Sequence, residues 1–358
     1  MTIALAGLIS TAFTGGASDV FLVEGEKPRV RTDGEVIVAH GEPLDHDSIA
    51  EIWKSCGLDP NSQNDGDASL EVPGAGRLRL NAYRTLGRLA LVMRPIKEVA
   101  PSFDELGLPG DLLTSWLQRR SGLILFSGPT GSGKSTSVAA CLDWINKNQS
   151  RHIVTIEDPI EFVYSHSSCL IKQREIGHDT RSFPVALRQA LRQDPDVIVV
   201  SELRDLETIR IALTAAETGH LVLATLHTLD APQSIDRLVD VFPADQQAQI
   251  ITQLASVVEG IVSQRLISRA DGQGRVLASE ILRANHGIRA CIREKKFEQI
   301  VGLMEIGHQD GNRTIDQSIA SLLQQGYITR EEALFHARDQ RNFAEAEQAK
   351  KPTKSIWT

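Results

Sequence analysis

Gly128-Pro129-Thr130-Gly131-Ser132-Gly133-Lys134-Ser135-Thr136 follows directly on the apolar run Gly122-Leu123-Ile124-Leu125-Phe126. The spacing is that of a P-loop, G-x-x-x-x-G-K-[ST], set between a buried-strand pattern and a helical one. Glycines at 128, 131 and 133 let the backbone curl so that successive N–H groups converge on phosphate oxygens. Pro129, Thr130, Gly131, Ser132 and Gly133 form the cradle, and Thr136 continues it into the helix. The helix starting near Lys134 adds its positive end, Lys134 reaches the β and γ phosphates, and Ser135 offers a hydroxyl to Mg2+. A plain strand-to-helix turn has no use for a Lys-Ser pair at that offset, so the stretch predicts ATP binding with magnesium.

Working outward, strands and helices alternate: strand 122–127, helix 134–147, strand 152–156, helix 183–193, strand 196–201, helix 205–218, strand 220–226 and helix 231–241. This is an α/β pattern, a parallel sheet covered by helices on both faces. Val197–Val200 and Leu221–Ala224 are apolar without alternation, as central strands should be. From about Pro243 the chain reads as mostly helical, with a hairpin near Asp271–Gly274. Asn342 to Lys351 reads as a charged, alanine-rich tail.

Before the P-loop the pattern changes. Val20–Val23, Arg29–Arg31, Glu35–Val38, Gly76–Asn81 and Arg88–Met93 read as short strands, with one helix near Asp47–Cys56. Pro95–Phe103, with two prolines, reads as the linker. The expected division is an N-terminal α+β domain over 1–97, a linker over 98–106 and an ATPase domain over 107–358.

Composition narrows the class. The 358 residues carry a net charge of −8, which argues against a protein that grips nucleic acid. No apolar run reaches the roughly 18–20 residues that cross a bilayer, and the start lacks a basic leader, which predicts a cytoplasmic protein. Cys56, Cys141, Cys169 and Cys291 are far apart and read as free thiols, with neither a zinc site nor a disulfide framework.

Hydrolysis of a triphosphate needs an acidic group near the γ-phosphate. Asp196–Ser201 delivers Glu202 to the carboxyl end of a strand, the ligand-binding edge of open α/β sheets. Glu202 is the candidate base, against the plainer role of a helix N-cap. Glu157, Asp158 and Glu161, around Pro159, crowd the end of another strand and suggest magnesium or water positioning. His220 and His227 bracket a third strand; each is either a satisfied core group or a γ-phosphate sensor. Arg77, Arg79, Arg84, Arg88 and Arg94 look like a solvated strand face; in a ring they become candidate arginine fingers.

Four boxes in order, Gly128–Thr136, Thr155–Phe162, Asp194–Asp205 and Thr218–His227, make the chain resemble the twitching-motility ATPases of type IV pilus machines, the PilT type of the secretion ATPases, from about Ala17 to Gln340. The resemblance implies a hexameric cytoplasmic motor with a PAS-like N-terminal domain and a RecA-like core. It implies pilus retraction through the inner-membrane platform protein, at the inner face of that membrane. Lys134, Ser135, Glu202, Glu161 and His227 inherit catalytic roles by this match, with Ser135 and Glu161 at the magnesium, and Arg77 and Arg94 are the implied trans-acting arginines. Gly287–Glu294 is similar to the retraction motif Ala-Ile-Arg-Asn-Leu-Ile-Arg-Glu. Three features depart from the pattern: Ser201 where Gly is usual, Gly287 and Ala290-Cys291 in the retraction motif, and Ser18–Leu22, which looks more like the accessory PilU-type paralogue. An accessory retraction motor, working with a paralogous ATPase, is the alternative, and an extension or type II secretion ATPase is a more distant one.

Overall fold

The computed structural model of the protein describes residues 3–32 and 34–344. The expected charged tail lies outside the described residues from position 345 onward. By compactness the chain divides into two units, one of residues up to Glu98 with Glu161–Val163, the other of Val99–Ile160 with Tyr164 and beyond.

The first unit carries β1 (Asp19–Val23), β2 (Arg29–Thr32), β3 (Glu35–Val38), β4 (Asp65–Val72), β5 (Gly76–Thr85) and β6 (Arg88–Pro95) in the order β3-β2-β1-β6-β5-β4. Every pairing is antiparallel. Helices Ile3–Thr14 and His46–Ser55 pack on the sheet, the second through fully buried Ile49, Ile52 and Trp53. Two of these elements are not legible in the sequence. Ile3–Thr14 is almost uniformly apolar or small, so no periodic contrast marks it as a helix. Strand β4 opens Asp-Gly-Asp and has poor strand propensity; its register places Ser69 opposite Arg79 and Glu71 opposite Arg77, so cross-strand partners select it. Glu161–Val163 joins this unit by backbone pairing: the Lys97 amide donates to Glu161 O at 3.3 Å and the Val163 amide to Lys97 O at 2.9 Å.

In the second unit β7 (Gly122–Ser127), β8 (His152–Glu157), β9 (Leu170–Glu175), β10 (Val197–Val200), β11 (Leu221–Leu226), β12 (Val258–Ser268) and β13 (Arg275–Arg283) run in the order β13-β12-β7-β11-β10-β8-β9. All neighbours are parallel except the β12–β13 pair. β7, β10 and β11 are buried at every position because helices cover both faces. Alternate side chains feed two cores. Leu123, Leu125, Ile198 and Val200 pack with helices Phe183–Ala190, Leu206–Glu217 and Ala244–Val257; Ile124, Phe126, Val197 and Val199 pack with Gly110–Leu117 and Lys134–Asn148.

After Pro243 comes helix Ala244–Val257; the hairpin expected near Asp271–Gly274 is then formed by β12 and β13, which widen the sheet, and helices His286–Arg293, Ile300–Ile306, Ile315–Gln324 and Arg330–His336 follow. Polar Ser263 and Gln264 inside the apolar run of β12 break its pattern, so strand and helix were indistinguishable by periodicity. Strand β9 also escaped notice; its charged Lys172, Arg174 and Glu175 suit an edge position beside β8.

Candidate active site

The parallel register brings the ends of three buried strands to one rim. Ser127 at the end of β7 pairs with Leu226 of β11, and Ala224 of β11 pairs with Val200 of β10. The chain leaving each strand therefore delivers the P-loop, His227 and Glu202 to the same carboxyl edge.

At the loop itself, Gly128, Gly131 and Gly133 all have positive φ, at 140°, 77° and 92°. Gly128 is also sterically required: a Cβ there would come within 2.4 Å of the Gln264 carbonyl oxygen. Gly133 is the N-cap of helix Lys134–Asn148. Lys134 is buried, and its Nζ donates to the carbonyl oxygens of Gly128 at 2.8 Å and Pro129 at 3.0 Å. The ammonium thus already lies inside the curl of the loop, on acceptors that phosphate oxygens resemble.

Glu202 follows β10 by two residues. Its Oε1 accepts from Arg204 Nε at 2.7 Å, and its Oε2 lies 3.3 Å from His227 Nε2. Burial pushes this carboxyl up, but the Arg204 hydrogen bond and the charges of His227 and Arg204 outweigh it and hold the group below its usual range. The same pair raises the Arg204 guanidinium. Glu202 does not cap the next helix. That role belongs to Asp205, which accepts from the Thr208 amide at 2.9 Å. The two histidines also separate: His220 Nδ1 lies 3.0 Å from the Ala215 carbonyl, before β11 begins, whereas His227 is at the site. Ser201 has no left-handed backbone and donates its amide to Ile156 O at 2.9 Å, so its departure from glycine brings no backbone strain.

Ser135 supplies a hydroxyl oxygen of the kind magnesium takes, and among the described residues no three His, Cys, Asp or Glu side chains cluster as a metal site of the protein's own. Glu157 accepts from Thr155 Oγ1 at 2.6 Å and Gln173 Nε2 at 3.0 Å.

The other expected residues belong to the first unit. Glu161 stands in the strip paired with Lys97. Arg77 Nη2 donates to Ser69 Oγ at 2.9 Å. Arg94 is held in a fork by Asp19, at 2.8 Å and 2.6 Å, and Asp19 is also 3.5 Å from Arg31. Sequence reasoning missed Arg204, visible two residues beyond Glu202.

The family model for "Type II/IV secretion system protein" matches residues 3–346. The chain is 43% identical over 341 residues to the "Type IV pilus retractation ATPase PilT" of Pseudomonas aeruginosa, covering 94% of this chain and 98% of that one. It is 38% identical over 327 residues to the "Type IV pilus ATPase PilU" of the same organism, with coverage of 90% and 85%. Among solved structures, that of the pilus retraction motor PilT with bound ADP matches with a TM-score of 0.88 at 42% identity, covering 96% of this chain and 99% of that one.

Proposed function

The chain belongs to the type II/IV secretion system protein family, and from that membership we propose that it is an ATP-hydrolysing hexameric motor that powers type IV pilus retraction. The observation that carries this reading is the rim itself: a P-loop lysine, a carboxylate held below its usual range and a histidine beside it, at the ends of three adjacent buried strands. ATP is the nucleotide. Main-chain amides around Lys134 take its β and γ phosphates, and Lys134 leaves the Gly128 and Pro129 carbonyls for phosphate oxygens. Magnesium neutralises phosphate charge when bound, and Ser135 and Glu161 are the side chains assigned to it by the match to the family. Glu202, ionised, accepts the hydrogen bond that orients the attacking water, and His227 fixes the carboxylate from its other side. Arg77 and Arg94 act across the subunit boundary of the ring as fingers. The 1–97 domain and the 107–358 ATPase domain, joined over 98–106, form each subunit.

The motor works at the cytoplasmic side of the inner membrane, against the pilus platform protein. Among the described residues no helix is long and apolar enough to cross a membrane. Similarity to both PilT and PilU leaves two retraction roles, principal and accessory, and one experiment separates them. Labelled pili are imaged in a deletion strain complemented with wild type or Glu202→Gln. A principal motor gives pili that extend but do not shorten with Glu202→Gln; shortening that persists assigns the accessory role, and loss of surface pili contradicts retraction altogether. For the chemistry, Lys134→Ala removes the charge that stabilises the transferring phosphoryl group and abolishes phosphate release, with normal turnover as the refuting result.

A further inference from the structure

His227 keeps its side chain 43% exposed, so packing around the ring alone does not fix it; its place beside Glu202 follows from the turn that carries it. That turn, 227–230, runs from the end of β11 to helix Ala231–Asp240. Side chains hold it from within. Thr228 Oγ1 and Ser234 Oγ are 2.6 Å apart, Ser234 Oγ donates to Asp230 O at 2.7 Å, and Asp230 caps the helix by accepting from the Gln233 amide at 2.8 Å.

The far end of the turn is held from outside, by residues much later in the chain. Glu280, fully buried on β13, accepts from the Ala231 amide at 2.8 Å and from the Ile315 amide at 3.4 Å. It thereby joins the first amides of helices Ala231–Asp240 and Ile315–Gln324, positive ends where a carboxylate is favoured. Arg338 completes the group: Nη2 lies 2.8 Å from Asp230 Oδ2, and Nη1 lies 3.4 Å from Glu280 Oε2. Its own backbone is anchored. The amides of Arg338 and Asp339 donate to the Asp316 carboxylate at 2.7 Å and 3.0 Å, and Arg265 Nη1 donates to the His336 carbonyl at 2.7 Å. One guanidinium thus answers two carboxylates, and both are buried. Burial pushes the Glu280 carboxyl up, and the Arg338 charge is the strongest influence against it. Without that charge two buried carboxylates would share the N-terminal end of one helix, a repulsion relieved by displacing the turn.

We propose that Arg338 is a positioning residue for ATP hydrolysis: by clamping Asp230 and Glu280 it fixes the far end of the 227–230 turn and so holds His227 against Glu202. This rests on the hydrolytic reading above. Arg338 acts through His227, so the step it serves is the orienting of water by Glu202 and not the capture of phosphates by the P-loop.

Steady-state ATPase kinetics of the full-length protein test this with Arg338→Met, which keeps the stem without the charge, and with Arg338→Lys. In Arg338→Met kcat falls about tenfold while KM for ATP stays within about twofold, since a displaced catalytic group slows the chemical step and leaves phosphate binding alone. In Arg338→Lys the fall is smaller, about threefold, because a point charge cannot fork across both carboxylates. In a His227→Ala background, followed by single turnovers where the rate is low, Arg338→Met makes no further difference, because the group it positions is gone. Arg289→Ala, which loosens a different helix end of the same unit, is the stability control and keeps kcat. The proposal is overturned if Arg338→Met leaves kcat unchanged, if its loss is as large in the His227→Ala background, if KM rises in step with the fall in kcat, or if Arg289→Ala lowers kcat as much. Should Arg338→Met not fold, Arg338→Lys decides: unchanged kcat in it overturns the clamp. A wild-type protein that hydrolyses no ATP would overturn the hydrolytic reading itself, whereas wild-type turnover with an indifferent Arg338→Met overturns this proposal alone.

Discussion

Glu202 shows how a single side chain is set for its task by two neighbours. Arg204 and His227 hold one oxygen each, and together they overcome the burial that would otherwise keep a proton on the group. A carboxyl held low stays ionised further into acid, so activity that needs the anion survives to lower pH than it would without Arg204. Arg204→Ala should therefore shift the acid limb of the kcat–pH profile upward, while the enzyme near neutral pH remains active. Superimposable acid limbs in the two proteins would show that Arg204 does not govern this ionisation. Lys134 is likewise held in place, by the carbonyl oxygens of Gly128 and Pro129.

At the scale of elements, the stretch similar to the retraction motif proves to be a structural brace on one side and open on the other. In helix His286–Arg293, Ile288 and Ile292 are fully buried. Arg289 donates to the carbonyls of Ala255 at 2.7 Å and Ser256 at 2.8 Å, closing the C-terminal end of helix Ala244–Val257, and reaches Glu259 at 3.2 Å. Cations suit that end of a helix. Replacing Gly287 by alanine would bring only ordinary contacts, the nearest at 3.5 Å, so the glycine there is not demanded by packing. Arg289→Ala should cost about 2 kcal/mol in a denaturant titration, since hydrogen bonds to a charged group are lost. Exposed Arg293→Ala should change stability by less than about 0.5 kcal/mol. Equal effects would refute the division of the motif into an inward and an outward arginine. In β12 the ring of Trp116 lies against Gly260, where a Cβ would come within 2.2 Å. Gly260→Ala should destabilise by about 1–3 kcal/mol through overpacking, and an unchanged denaturation midpoint would refute that contact.

For the whole molecule, the two units carry different parts of the proposed chemistry: the P-loop, Glu202 and His227 stand in one, and Arg77, Arg94 and Glu161 in the other. Arg94 is oriented by Asp19 yet keeps its side chain 67% exposed, the disposition of a group able to serve a neighbour. Rings mixed from Arg94→Ala and Lys134→Ala subunits should regain part of the ATPase activity that each homogeneous ring lacks; no recovery at any mixing ratio would count against fingers acting in trans. The P-loop, the three central strands and the candidate acid were legible in the chain because each is a local pattern: glycines at fixed offsets, a continuous apolar run, an acid just past its end. Strand β4 and the contacts of Glu202 with Arg204 and His227 were not, because each depends on residues brought together from distant positions. The amino-acid order alone therefore determined which groups are candidates to handle a triphosphate and in what kind of sheet they stand. Tertiary packing decided which of two histidines joins the acid and which acid caps a helix, since hydrogen-bond partners and burial are properties of neighbours in space and not of neighbours along the chain.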